Sequence, residues 1–123
     1  MEQVQTAAEI VARYADGARS FTALDLDDRE YDFSGCMLDD VDFSESFIFA
    51  SFRGASLARA RFRNANVKTC DFTGANLESA EFEGAAIDAA VFDGANLTGA
   101  SFVGASEQGH LYQVGEIPFR NAT

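Results

Sequence analysis

Phenylalanine recurs at positions 52, 62, 72, 82, 92 and 102, a strict ten-residue spacing that marks the chain as an internal repeat. Leu57, Val67, Leu77, Ile87 and Leu97 fall halfway between these rings, so a large apolar residue returns every five residues for eleven consecutive pentads. Two positions before each one lies a small residue, in the series Ala50, Ala55, Ala60, Ala65, Cys70, Ala75 and onward to Ala100. A period of five matches neither an α-helix at 3.6 nor a strand at 2. It suits a short extended segment and a corner, repeated around a closed coil. The large residue and the small one before it then point inward together, as i and i−2 do in a strand. The other three residues of each pentad face outward or form the corner.

Stretches such as Cys70-Asp71-Phe72-Thr73-Gly74 and Ala95-Asn96-Leu97-Thr98-Gly99 fit the pattern A-(D/N)-L-x-x. Over roughly residues 19–106 the chain therefore resembles the pentapeptide-repeat family. The resemblance implies an all-β solenoid, a right-handed quadrilateral β-helix of about four coils, with about twenty residues per coil and coils ~4.8 Å apart. Phe52, Phe72 and Phe92 would form one internal stack, and Phe62, Phe82 and Phe102 the opposite one.

Two departures interrupt the pattern upstream. Phe43 to Phe52 is nine residues, one short, and Leu26 to Phe33 is seven, two long. The missing residue is placed by asking what would be buried. With Phe47 inward, Glu45 would fill the small slot, and an unpaired buried carboxylate is costly. With Ile48 inward, Ser46 takes that slot. Ile48 is the choice, and it turns Phe47 and Phe49 outward.

The ends need covers, because open solenoid ends expose strand edges. Thr6-Ala7-Ala8-Glu9 reads as a capping box. Val4, Ala7, Ala8, Val11, Tyr14 and Ala15 follow helical spacing, with Gly17 as the left-handed terminator, so an N-terminal capping α-helix is expected near residues 3–16. The expected division is a helical cap over 1–17, the β-helix over 18–106 and a C-terminal tail or cap over 107–123. In that tail Leu111, Tyr112, Val114, Ile117 and Phe119 would cover the last coil or meet a second copy in a homodimer, and Pro118 would stop strand extension.

Charge is banded. Lys and Arg number 9 against 20 Asp and Glu, for a net charge of −11, which argues against direct contact with nucleic acid or anionic lipid. The acids concentrate in residues 24–45 and 71–107, while Arg53, Arg59, Arg61, Arg63 and Lys68 form a basic band between them. Stacking at twenty residues sets Glu81 by Arg61, Glu83 by Arg63 and Asp88 by Lys68. Across the shortened pentad it sets Asp42 by Arg61 and Asp40 by Arg59. No apolar run approaches the ~18 residues of a membrane span, no signal-peptide core is visible, and two cysteines do not make a disulfide framework. A cytoplasmic setting is expected.

Chemistry is not expected. His110 is the single histidine, with no nucleophile pattern beside it. Cys36 and Cys70 occupy small inward slots on different sides of the coil, which disfavours a disulfide or a metal pair. The glycines at 54, 74, 84, 94 and 104 keep corner spacing and make no phosphate loop. No catalytic residue, cofactor or metal is assigned. The expected function is a non-catalytic protein-interaction module with an unspecified protein partner, contacted through the outward Phe47 and Phe49. The family resemblance implies an alternative, a DNA mimic that binds DNA gyrase through an acidic face containing Asp71, Glu81 and Glu83.

Overall fold

The computed structural model describes residues 6–118. Its elements in chain order are α1 (Ala7–Ala15), β1 (Asp25–Asp32), β2 (Phe47–Ser51), β3 (Ser106–Glu107) and β4 (His110–Leu111). Between β2 and β3 the chain winds as coils joined by parallel bridges twenty residues apart, such as Ser51 to Asp71 to Val91 and Arg61 to Glu81 to Ser101. Backbone hydrogen bonds link coil to coil, with Phe62 N donating to Glu81 O at 2.7 Å and Glu81 N to Ala60 O at 2.9 Å. Each corner closes on itself, as where Ala65 N donates to Phe62 O at 3.1 Å. The third residue of that turn, Asn64, has φ 58°, the left-handed value that a type II turn requires. At the equivalent corner Gly84 has φ 72°, and an added Cβ would lie 2.2 Å from Asn64 Oδ1, so the Asn64 side chain would have to turn away.

The core is the line of inward residues. All of Phe33, Phe43, Phe52, Phe62, Phe72, Phe82, Phe92 and Phe102 are buried. They form two columns of nearly parallel rings. One runs Phe33, Phe52, Phe72, Phe92, with centroids 5.1–5.2 Å apart. The other runs Phe43, Phe62, Phe82, Phe102 at 4.7–5.8 Å, preceded by Phe21 at 6.0 Å and followed by Tyr112 at 6.2 Å. The columns touch edge to face, as between Phe72 and Phe82 at 5.7 Å. Edge-to-face contact suits the ring quadrupoles.

At the N-terminal end, Thr6 and Glu9 form the reciprocal capping box, with Glu9 N donating to Thr6 Oγ1 at 3.0 Å and Thr6 N to Glu9 Oε1 at 2.9 Å. Gly17 adopts φ 105° after the helix. The inward face of α1 differs from the expected one. Ile10, absent from that set, is its fully buried residue, with Ala7, Val11 and Tyr14 packed at its sides, whereas Ala8 and Ala15 are exposed. Positions 7, 10, 11 and 14 keep the i, i+3, i+4, i+7 spacing of one helix face, and Ile10 is its centre. Val4 lies outside the described residues. At the other end β3 and β4 pair antiparallel, and Tyr112 N donates to Ala105 O at 2.9 Å. This hairpin reverses the chain over the last coil and buries Tyr112, while Leu111 and Val114 stay exposed. Phe119 lies outside the described residues.

Candidate functional site

The two departures from the five-residue period meet on one side of the rod. Leu26 pairs with Ile48, an offset of 22 residues, and Tyr31 pairs with Ala50, an offset of 19. The excess in β1 and the shortfall in β2 thus face each other, and residues 27–30 bulge out opposite Phe49. Tyr31 is buried in the small slot before Phe33 and donates its hydroxyl to Asp28 Oδ1 at 2.7 Å. In β2 the Phe47–Ser51 stretch runs straight through the place where other pentads turn a corner. Ile48 is 3 % exposed and Ser46 1 %, so the inward pair is Ser46 and Ile48. Ser46 Oγ accepts from Leu24 N at 3.0 Å and donates to Phe21 O at 3.2 Å.

Losing a corner leaves an indentation. Phe47 is 49 % exposed, Phe49 is half-buried, and both line a groove of about 230 Å³ together with Asp27, Ile48, Asn66, Lys68 and Thr69. Phe47 is bridged to Asn66 on the next coil. Asp27 forms one lip, and the intact corner at Lys68 and Thr69 the other. Asp27 and Thr69 were not among the residues singled out from the sequence. The surplus between Leu26 and Phe33 was the signal for Asp27, because extra residues in a tight coil must leave its plane.

The charge ladder forms in most of its rungs. Arg59 makes two bonds to the Asp40 carboxylate at 2.8 and 3.1 Å. Arg61 lies 4.0 Å from Asp42 and 3.8 Å from Glu81, and Arg63 3.9 Å from Glu83. One further rung appears and one expected rung does not. Arg53 reaches diagonally to Asp71 at 3.0 Å, an offset of 18 that a straight ladder does not suggest. Asp88 turns instead to the hairpin, accepting from Gln108 N at 3.0 Å, which leaves Lys68 without it.

These rungs bear on the acidic residues. Asp71 belongs to the bridge column of Ser51 and Val91, and Glu81 to that of Arg61 and Ser101. The two columns are half a coil apart, so Asp71 lies on the opposite side of the rod from Glu81 and Glu83. The three do not form one face, and each is near an arginine. Burial pushes the Asp71 carboxyl up, but bonds from the Thr73 hydroxyl and amide and from Arg53 outweigh it and hold the group below its ordinary value.

The bonds from Arg59 likewise hold the Asp40 carboxyl below the ordinary carboxylate value. A depressed folded pKa contributes stability above the unfolded value and loses it as pH falls through the folded one. With both side chains more than half exposed, the contribution is small and screened by salt. Arg59→Gln should raise the Asp40 titration midpoint towards the ordinary value in an NMR pH titration. An unchanged midpoint would mean that the pair does not persist in solution.

The remaining candidates offer no reactive centre. Cys36 and Cys70 are free thiols. Cys70 is buried, donates to Ile48 O at 3.2 Å and is pushed up to about 12 by that burial, so it is no thiolate at neutral pH. His110 Nε2 sits 3.2 Å from Glu116 Oε1 on the exposed hairpin. Among the described residues no group of His, Cys, Asp or Glu is arranged to hold a metal, and no helix is long and apolar enough to cross a membrane.

Solved structures include proteins similar to this chain. A pentapeptide repeat protein from Nostoc PCC 7120 is 26% identical, with 87% of this chain matched to 84% of that one at a TM-score of 0.51. HetL, a pentapeptide repeat protein involved in heterocyst differentiation regulation from Nostoc sp. strain PCC 7120, is also 26% identical, with 83% of this chain matched to 47% of HetL at a TM-score of 0.44. Trypsin-treated QnrB1, a plasmid-mediated fluoroquinolone resistance protein, is 16% identical over 72% of this chain and 74% of its own, at a TM-score of 0.39. Curated protein sequences give no significant match. The family model for pentapeptide repeats matches residues 46–78 and 75–106 in eight copies. With this repeat, its twenty-residue coils and its two ring columns, the chain belongs to the pentapeptide-repeat family of right-handed β-helices.

Proposed function

We propose that the protein is a non-catalytic interaction module that binds a protein partner through the Phe47/Phe49 groove. The observation that carries this reading is the exposure of Phe47. Among the described residues the repeat otherwise turns its phenylalanines inward, yet β2 turns two aromatic side chains outward where its corner is lost. Aromatic residues in a water-accessible depression are what interface hot spots are made of. In the same reading α1 caps the first coil and the hairpin caps the last, with the three parts dividing near residues 17 and 107.

The DNA-mimic alternative has weaker support. A mimic of duplex DNA needs a continuous run of uncompensated negative charge, about one per ~1.7 Å. Here Asp71, Glu81 and Glu83 are split between opposite sides and set beside arginines.

Affinity capture with the wild-type chain and with Phe47→Asp separates the two readings. The expected result is a protein retained by the wild type, lost with Phe47→Asp at unchanged thermal stability, and reconstituted from purified components by calorimetry. Identical captures with both chains, together with dose-dependent inhibition of gyrase supercoiling, would replace this reading with the mimic.

A further inference from the structure

Lys68 is the odd cation of the basic band. Arg53, Arg59, Arg61 and Arg63 each meet a carboxylate on a neighbouring coil. Among the described residues Lys68 forms no ion pair, and Asp88, its partner in a straight ladder, accepts instead from the hairpin amide of Gln108 at 3.0 Å. Nor is its ammonium held over an aromatic ring, since the cation–π contacts of the described residues are Arg19 on Tyr14 and Arg29 on Tyr31. Lys68 lines the groove together with Phe47 and Phe49, and its backbone is held by its neighbours, Lys68 N donating to Asn66 Oδ1 at 3.1 Å and Thr69 Oγ1 donating to Lys68 O. Thr69 carries φ 62° and is the one β-branched residue among the described non-glycine positions of positive φ. That conformation is strained for a β-branched side chain, and it falls on the rim of this groove.

We infer that the groove takes a protein segment that presents an apolar side chain next to a carboxylate, the apolar group against Phe47 and Phe49 and the carboxylate on Lys68. This rests on the groove being the contact surface. Size favours a side chain over a free metabolite, because about 230 Å³ is below the ~300 Å³ at which small-molecule sites begin. A second copy of this chain fits poorly. Two grooves would meet hollow to hollow, and two bodies of net charge −11 would be brought together against their mutual repulsion. The partner's carboxylate is instead read locally, inside the ~8 Å over which salt leaves charges unscreened. Asp27 on the opposite lip repels it, so the sign difference across the groove fixes the direction in which the segment lies.

The test uses the full chain, ¹⁵N-labelled, titrated with acetyl-Leu-Glu-amide and with acetyl-Leu-Gln-amide. The expected result is saturable shifts of the Phe49 and Lys68 amides in the millimolar range, with the Gln probe about three- to fivefold weaker. Lys68→Met should abolish that difference and Lys68→Arg should keep it. Equal affinities for the two probes, or a difference that survives Lys68→Met, would overturn the carboxylate anchor and leave the groove as a contact surface. No shift at Phe49 and Lys68 with either probe would overturn both.

Discussion

Replacing Phe72 with Ala should cost about 3–5 kcal/mol of folding stability, read as a lower urea midpoint at unchanged slope. The side chain is fully buried. It lies flat between Phe52 at 5.1 Å and Phe92 at 5.2 Å, with interplanar angles of 3° and 2°, and its edge meets Phe62 and Phe82 at 5.7 Å each. Four rings would therefore border the void. The coils cannot collapse into it, because their spacing is fixed by backbone hydrogen bonds on every side, such as Phe72 N to Val91 O at 2.7 Å. A site that cannot relax carries the transfer loss and the cavity loss together. A repeat protein is stabilised by contacts between neighbouring units, so a gap in mid-column weakens two interfaces at once. A loss under about 1 kcal/mol, well below the range for such cavities, would mean that Phe72 does not sit in a column.

Ser46→Ala should cost about 1–3 kcal/mol, the penalty for leaving a buried polar group without its partner. At most other small inward slots alanine is the native residue and is buried without a polar partner. Here the hydroxyl completes the backbone where the coil is irregular, accepting from Leu24 N at 3.0 Å and donating to Phe21 O at 3.2 Å. Removing it orphans a donor and an acceptor next to the β1 bulge. Ser46→Thr keeps the hydroxyl but adds a methyl to a site that is 1 % exposed, and overpacking is costly as well. Hydrogen exchange at the Leu24 amide should rise in Ser46→Ala while exchange in the Phe82–Phe102 coils stays as it was. Equal protection at Leu24 in the variant and the wild type would show that its amide has found another acceptor.

The inward residues were legible because a pentad writes its own orientation. One large and one small apolar residue at i and i−2, then a corner, leave little choice over which way each points. The same logic placed the shortened pentad, where the cost of burying Glu45 selected Ile48 over Phe47. Ile10 completes the face of positions 7, 10, 11 and 14, which the expected set of Val4, Ala7, Ala8, Val11, Tyr14 and Ala15 left without its centre. The outward pairs were legible only where the ladder is straight. Arg61 with Glu81 follows from counting twenty residues, whereas Arg53 with Asp71 depends on a long side chain crossing to a neighbouring position. The rung from Lys68 to Asp88 was displaced by the hairpin, an element that lies outside the repeat.

Counting along the chain sets the coil, the two ring columns and the direction in which Phe47 and Phe49 point. The coil and the columns follow from covalent geometry repeated every five residues, and the outward pair follows from the cost of burying Glu45. Only the folded coil brings the β1 surplus against the β2 shortfall, opens a groove there and leaves Lys68 on its edge without an ion pair. Those depend on what the adjacent coil and the terminal hairpin bring alongside, and no count along a single chain contains that.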